Sequence, residues 1–152
     1  MTAVELGLPY LGWCPKGGWA EDYQTPPGLL LEFPNLRETP SGEPEQRTAW
    51  NVRDSDATLI LSPVPLLSTS NGTRFTRLCA ELIFLKPLQI TDLEPDLLGP
   101  TVMSWLLDQI KATRRGPFCL NVAGPRESEA PGIHDVARMY LGRLFASVLR
   151  SA

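Results

Sequence analysis

"FCLNVAGPRESEAPGIHDVARMYLGRLF", residues 118–145, changes character twice. Phe118–Val122 is a short apolar run of strand length. Gly124–Pro131 is polar and broken by glycine and proline, which marks a loop. From Ile133 onward, Val136, Ala137, Tyr140, Leu141, Leu144, Phe145, Val148 and Leu149 recur at i, i+3, i+4 and i+7. That spacing lays one continuous apolar face along a helix. Pro131 falls at its first turn, where a missing N–H costs nothing. Strand, polar turn and amphipathic helix in this order form the unit from which α/β sheets are built.

The alternation continues outward. "ATLILS" (Ala57–Ser62) and "PLQIT" (Pro87–Thr91) join Phe118–Val122 as apolar runs without clean alternation. Strands buried on both faces of a parallel sheet look like this. A weaker fourth strand lies around Tyr10–Cys14. Helical spacing falls between them, over Gln46–Asp54, Thr73–Leu85 and Leu97–Ala112. The expected fold is α/β: a three-layer, Rossmann-like, mostly parallel sheet flanked by helices, with right-handed crossovers. Residues 17–44, rich in proline, glycine and charge, read as one long loop excursion. The length of 152 residues suits a single domain over 1–152.

A net charge of −3 argues against non-specific binding to nucleic acid or to anionic membranes. No apolar run reaches the ~18 residues that span a bilayer. "MTAVELGLPY" lacks the basic and apolar regions of a secretory signal. Cys14, Cys79 and Cys119 are odd in number and far apart, unlike a disulfide framework or a zinc site. Cys79 and Cys119 read as buried small hydrophobes, whereas Cys14 has a loop-like setting. A cytoplasmic location fits these features. The single His134 reads as an exposed polar residue at a helix start. Glu81 reads as part of a solvated helix face. Asp54, at the end of a helix, reads as a partner of Arg53 or Arg47. No P-loop, GxGxxG, metal cluster or Ser-His-Asp arrangement is present, so no catalytic residue and no metal site is assigned.

Ligands of an open parallel sheet bind outside the carboxyl ends of its strands. Two loops there carry suitable chemistry. "STSNGTRFT" (Ser68–Thr76) places Asn71, Gly72 and Thr73 at a helix N-terminus, where free N–H groups and the helix dipole attract anions. Capping by Ser70 or Asn71 would equally explain it. The second loop offers Asn121, Gly124, Pro125, Arg126, Glu127 and Ser128. Arg126 can grip an oxyanion with two parallel N–H groups. Alternatively it pairs with Glu127 or Glu129, and Ser128 caps the helix.

The strings "ELGLPYLGWCPKG", "LRETPSGEPEQRTAWNVRDSDATLILS", Asn-Gly-Thr and "LNVAGPRESEAPGI" resemble, in the same order and over nearly the whole chain, the molybdenum-carrier family of circularly permuted, LOG-like SLOG proteins. That resemblance implies a pocket for an oxyanion or nucleotide-like ligand. Molybdate or molybdenum cofactor is the family's named cargo. It also implies a homo-oligomer, a dimer or tetramer. Gly72–Thr73 matches the family's Gly-Thr phosphate loop, Asn121–Ser128 its second signature, and Trp13, Cys14, Pro15 and Lys16 a third of unassigned role. Family members usually begin with a strand and a Gly-Gly-Gln-Thr-type loop, and "MTAVELGLPY" matches only the end of the helix that follows. The resemblance therefore implies either a start assigned too late or a truncated form. Asn71 also stands where the family typically has a second glycine.

The leading expectation is a binding or carrier protein without chemistry of its own. One alternative is a nucleoside-monophosphate glycosidase, which would need Arg126 with Glu127, or a glutamate such as Glu21. The other is a degenerate remnant that binds nothing.

Overall fold

The computed structural model describes residues 2–64, 66–93, 100–113 and 116–151. In chain order these are helical turn α1 (Thr2–Glu5), β1 (Gly12–Cys14), α2 (Leu29–Glu32), β2 (Leu36–Glu38), α3 (Pro44–Arg53), β3 (Ala57–Leu61), α4 (Leu66–Thr69), α5 (Asn71–Leu78), β4 (Leu88–Thr91), α6 (Pro100–Ala112), β5 (Leu120–Ala123) and α7 (Ile133–Ser151). A 3₁₀ turn covers Lys16–Gly18, and a π turn over Cys79–Ile83 extends α5.

The centre is a parallel sheet in the order β4-β3-β5. All five residues of β3 are buried, which is why its sequence shows no alternation. Leu59 and Leu61 pack with Val102 and Leu106 of α6 and with Tyr140, Leu144 and Val148 of α7. Thr58 and Ile60 must point to the opposite face. Leu88, in register with Thr58, packs there against Val52 of α3 and Cys79 and Ala80 of the π turn. Helices thus cover both faces and make three layers. The periodic stripe of α7 buries Ile133, Tyr140, Leu144 and Val148.

A second parallel pair, β1-β2, packs against α3. Asn51 of α3 completes the backbone of Trp13: the Trp13 N–H donates to Oδ1 at 2.7 Å, and Nδ2 donates to its carbonyl at 3.0 Å. The Trp13 ring stands edge-on to Trp50 at 4.7 Å and donates Nε1–H to Asp54 at 2.7 Å. One helix therefore serves both sheets.

Several elements differ from expectation. Residues 17–44 are not loop throughout, because they contain α2 and β2. Both are too short for any periodic pattern, and β2 lies between Pro34 and Pro40. Cys14 is not in a loop; it ends β1 and is 2% exposed. The helix expected over Thr73–Leu85 begins at Asn71 and changes to π geometry at Cys79. Of the expected Leu97–Ala112 helix, 97–99 lie outside the described residues.

Gly124 is fixed by sterics. A Cβ there would lie 2.5 Å from the Leu61 carbonyl oxygen, so only glycine lets the loop after β5 pass the end of β3. Gly124→Ala should therefore cost about 1–3 kcal/mol as overpacking. Urea unfolding measures it, and an unchanged midpoint would contradict the close approach.

Candidate anion site

The site starts where β3 ends. After Leu61 the chain makes the short turn α4, and Ser70 caps α5. Ser70 is 2% exposed, and its hydroxyl does two things. It accepts weakly from the Thr73 N–H at 3.4 Å and donates to Glu129 at 3.0 Å. The same Glu129 oxygen accepts the Arg126 backbone N–H at 2.9 Å. One carboxylate thus ties the loop after β3 to the loop after β5.

That tie settles the fate of the acids around Arg126. Glu129 is held by Ser70 and by backbone. Glu127 accepts the N–H groups of Gly132 and His134 and so caps α7. Its second partner is the His134 ring, Nδ1 at 3.6 Å. Neither acid forms an ion pair with the Arg126 guanidinium, and no other described carboxylate does. The guanidinium lies instead 6.0 Å from the centre of the Trp19 ring. Trp19 is held by a self-crossing loop: a Cβ on Gly18 would sit 2.1 Å from the Pro27 carbonyl, and one on Gly28 would sit 2.2 Å from that of Gly18.

Two further donors lack partners among the described residues. Thr73 is 1% exposed and its Oγ1 has none. Arg47 of α3 has its Nε fully shielded, also without a partner among the described residues. Burial, and then the like charge of Arg126, push its guanidinium below the usual arginine range. Cys14 and Glu45 push it part of the way back. The Cys14 thiol is itself raised by burial and by Glu38, so it is a thiol and not a reactive thiolate.

The remaining sequence candidates fall as follows. Asn71 and Gly72 are exposed in the first turn of α5, with open space where a Gly72 side chain would be. Asn121 faces the sheet, donating to Thr58 Oγ1 at 3.3 Å, and does not reach the loop. Pro125 is buried, and Ser128 is exposed. Lys16 is exposed, and its N–H donates to the Ser41 carbonyl. Trp13 is committed to Asp54 and Trp50. Asp54 pairs with Arg53 at 2.7 Å, and Glu81 with Arg77 at 3.0 Å. Sequence reasoning named Glu129 only as an alternative ion-pair partner of Arg126 and did not single out Trp19, which lies beside the guanidinium. Glu129 carries a signal, as an acid beside an arginine, and its carboxylate goes to the Arg126 backbone N–H and the Ser70 hydroxyl.

An open cleft of about 410 Å³ lies on the other side of the same loop, lined by Pro63, Asp92, Leu93, Pro131, Ile133 and their neighbours. Among the described residues its lining has one carboxylate and no cation, so its chemistry does not suit an anion. Among the described residues no group of three or more His, Cys, Asp and Glu could hold a metal ion. No described helix is long and apolar enough to cross a membrane.

Parallel strands covered by helices on both faces define a Rossmann-like α/β protein. The chain belongs to the circularly permutated YpsA SLOG family, whose description matches residues 1–145. It is also similar to a crystal structure from Syntrophus aciditrophicus SB named "Putative molybdenum carrier protein". The two share 32% sequence identity, with a TM-score of 0.74 over 95% of this chain and 83% of the other. No curated protein matches the chain.

The Glu127 cap has a pH signature. Hydrogen bonds from Gly132 and His134 hold its carboxyl below the ordinary value of 4.5. A depressed carboxyl stabilises the fold fully above its unfolded value and loses that contribution as pH falls through the folded one. Thermal melts should therefore show Glu127→Gln less stable than wild type at pH 7, with the difference shrinking below pH ~4.5. A difference that persisted unchanged into acid would contradict the cap.

Proposed function

We propose that this protein binds a small anionic ligand, an oxyanion such as molybdate or a nucleotide-like phosphate, at the loops after β3 and β5, and performs no chemistry on it. The observation that carries the reading is the unpaired guanidinium of Arg126. Two acids within three residues of it are both turned to other work. An exposed arginine beside two glutamates has two acids within reach for an ion pair, though such pairs are worth only ~0–1 kcal/mol. Here the loop keeps the cation available while its backbone is pinned.

The rest of the site supports the same chemistry. Thr73 brings a buried, unengaged hydroxyl at the first turn of α5, where the helix dipole favours anions. Gly72 leaves room above that turn. Molybdate is a tetrahedral dianion and suits such donors. The name of the Syntrophus structure and the family membership favour a molybdenum-containing cargo, molybdate or molybdenum cofactor. The glycosidase alternative gains no support from the acids. Glu127 is engaged as a helix cap, and Glu81 is paired on the α5 surface.

We propose further that the chain acts as a homo-oligomer, a dimer or tetramer, in the cytoplasm. Leu78, Leu82, Ile83 and Leu85 leave an exposed apolar row at the end of α5 and its π turn. Rows of this kind mark association surfaces. Three free thiols fit a reducing compartment.

Titration of the folded protein with molybdate by calorimetry should give saturable heat. Arg126→Ala should weaken binding roughly 10–100-fold, the ~1.5–3 kcal/mol of a charge-assisted contact. Absence of heat from every anion tested, including phosphate and AMP, would refute the reading. Gly72→Ala separates fold from function. It should stabilise the free protein by about 0.5–1 kcal/mol, since nothing in the fold needs glycine there. It should also weaken the anion. A variant that gained stability and bound as well as wild type would remove Gly72 from the site.

A further inference from the structure

Trp19 is the tryptophan whose side chain the packing of the fold does not use. Trp13 donates its Nε1–H to Asp54 and stands edge-on to Trp50. Trp50 in turn carries the Arg53 guanidinium 4.6 Å from its ring centre. Trp105 packs against the main core. Trp19 belongs to neither apolar cluster and is 38% exposed. Its indole N–H has no hydrogen-bond partner among the described residues, and the partner of its ring is the Arg126 guanidinium at 6.0 Å. Aromatic side chains stabilise a fold mainly by burying their large area, and this ring leaves much of that area in water.

The backbone around the ring is nonetheless fixed on both sides. Before it, the Gly18 N–H donates to the Pro15 carbonyl at 3.0 Å, and the Gly17 N–H donates to the Glu38 carboxylate of β2. After it, Ala20 and Tyr23 exchange both backbone hydrogen bonds, at 3.2 and 3.0 Å. The Tyr23 hydroxyl then donates to Glu32 of α2. Gly18 and Gly28 cross so closely that neither has room for a Cβ. Binding residues are characteristically carried on loops that a scaffold holds in place. Here the loop holds an exposed ring beside an arginine that has no ion pair among the described residues.

The two groups suit different parts of one ligand. A guanidinium takes an anionic group. An indole face takes a flat ring, because every heteroaromatic ring has a π-face to lay on it. A tetrahedral oxyanion has no such face and would fill only the Arg126 half. We propose that Trp19 contacts the ligand by stacking on a planar heteroaromatic ring, so that the ligand is a phosphorylated heterocycle rather than a bare oxyanion. This rests on the anion-binding reading above and adds the organic half of the ligand and the residue that holds it. A purine nucleotide and a phosphorylated pterin share this chemistry.

Calorimetry with matched ligands tests it. AMP and ribose 5-phosphate carry the same phosphate and differ in the ring. Wild type should bind AMP roughly tenfold or more tighter than ribose 5-phosphate, the scale of one stacked base. Trp19→Leu keeps apolar bulk and removes the ring, and should bring the ratio of the two affinities close to one. Trp19→Phe should retain most of the ratio. A merely structural role for Trp19 would weaken both ligands together and leave the ratio as in wild type, and that result would overturn the proposal. AMP should also quench the tryptophan emission of wild type more than that of Trp19→Phe. Equal quenching in the two would contradict the contact.

The failures are distinguishable. If Arg126→Ala is impaired toward both phosphates while Trp19→Leu keeps the preference for AMP, the stacking inference falls and the anion reading stands. If folded wild type binds AMP and ribose 5-phosphate equally, the stacking inference falls alone. If it binds no anion, both fall. Neopterin monophosphate against AMP separates the two sources of the ring. Whichever binds more tightly names the class, and it supports the proposal only if Trp19→Leu removes its advantage over ribose 5-phosphate.

Discussion

One carboxylate oxygen of Glu129 receives the Ser70 hydroxyl from one strand end and the Arg126 N–H from another. Parallel strands deliver their loops to the same edge of a sheet, but nothing in the sheet itself fixes one loop against its neighbour. Here the link is a charge-assisted pair of hydrogen bonds spanning 59 positions of sequence. Because Ser70 also caps α5, the start of that helix and the arginine loop are tied to one carboxylate. Gly124 makes the arrangement possible, since any side chain there would strike the Leu61 carbonyl.

The same link decides the charge of the site. A loop reading Arg-Glu-Ser-Glu is neutral or acidic on paper. In the fold one glutamate caps α7 and the other ties the two loops, so the exposed cation is Arg126. The chain has a net charge of −3 and still presents, at this loop, an arginine without an ion-pair partner among the described residues. Helix α3 holds β1 in place through Asn51 and Trp50.

The architecture was legible because long elements carry periodicity. Ala57–Leu61, Leu88–Thr91 and Leu120–Ala123 lie inside or within one residue of the runs read as strands, and α7 follows its apolar stripe. The loops at the strand ends were legible through their glycines and their single arginine. What stayed hidden has a physical cause. β2 has three residues and no room for a pattern. The destination of a glutamate side chain depends on tertiary distances, so the sequence left open whether Glu127 or Glu129 pairs with Arg126, and in the fold Glu129 instead accepts the Arg126 backbone N–H. Arg47 sits in a helical string beside Arg53 and Asp54, where a surface ion pair was the natural expectation. The structure gives Asp54 to Arg53 and Trp13, and leaves the Nε of the half-buried Arg47 without a partner among the described residues.

The central claim is that the loops after β3 and β5 form one anion site. Anomalous diffraction at the molybdenum edge, from crystals soaked in molybdate, tests it most directly. The account predicts a peak whose oxygens lie within hydrogen-bond reach of the Arg126 guanidinium and the first turn of α5 at Thr73. A peak in the cleft beside Asp92 and Leu93, with none at Arg126, would contradict it.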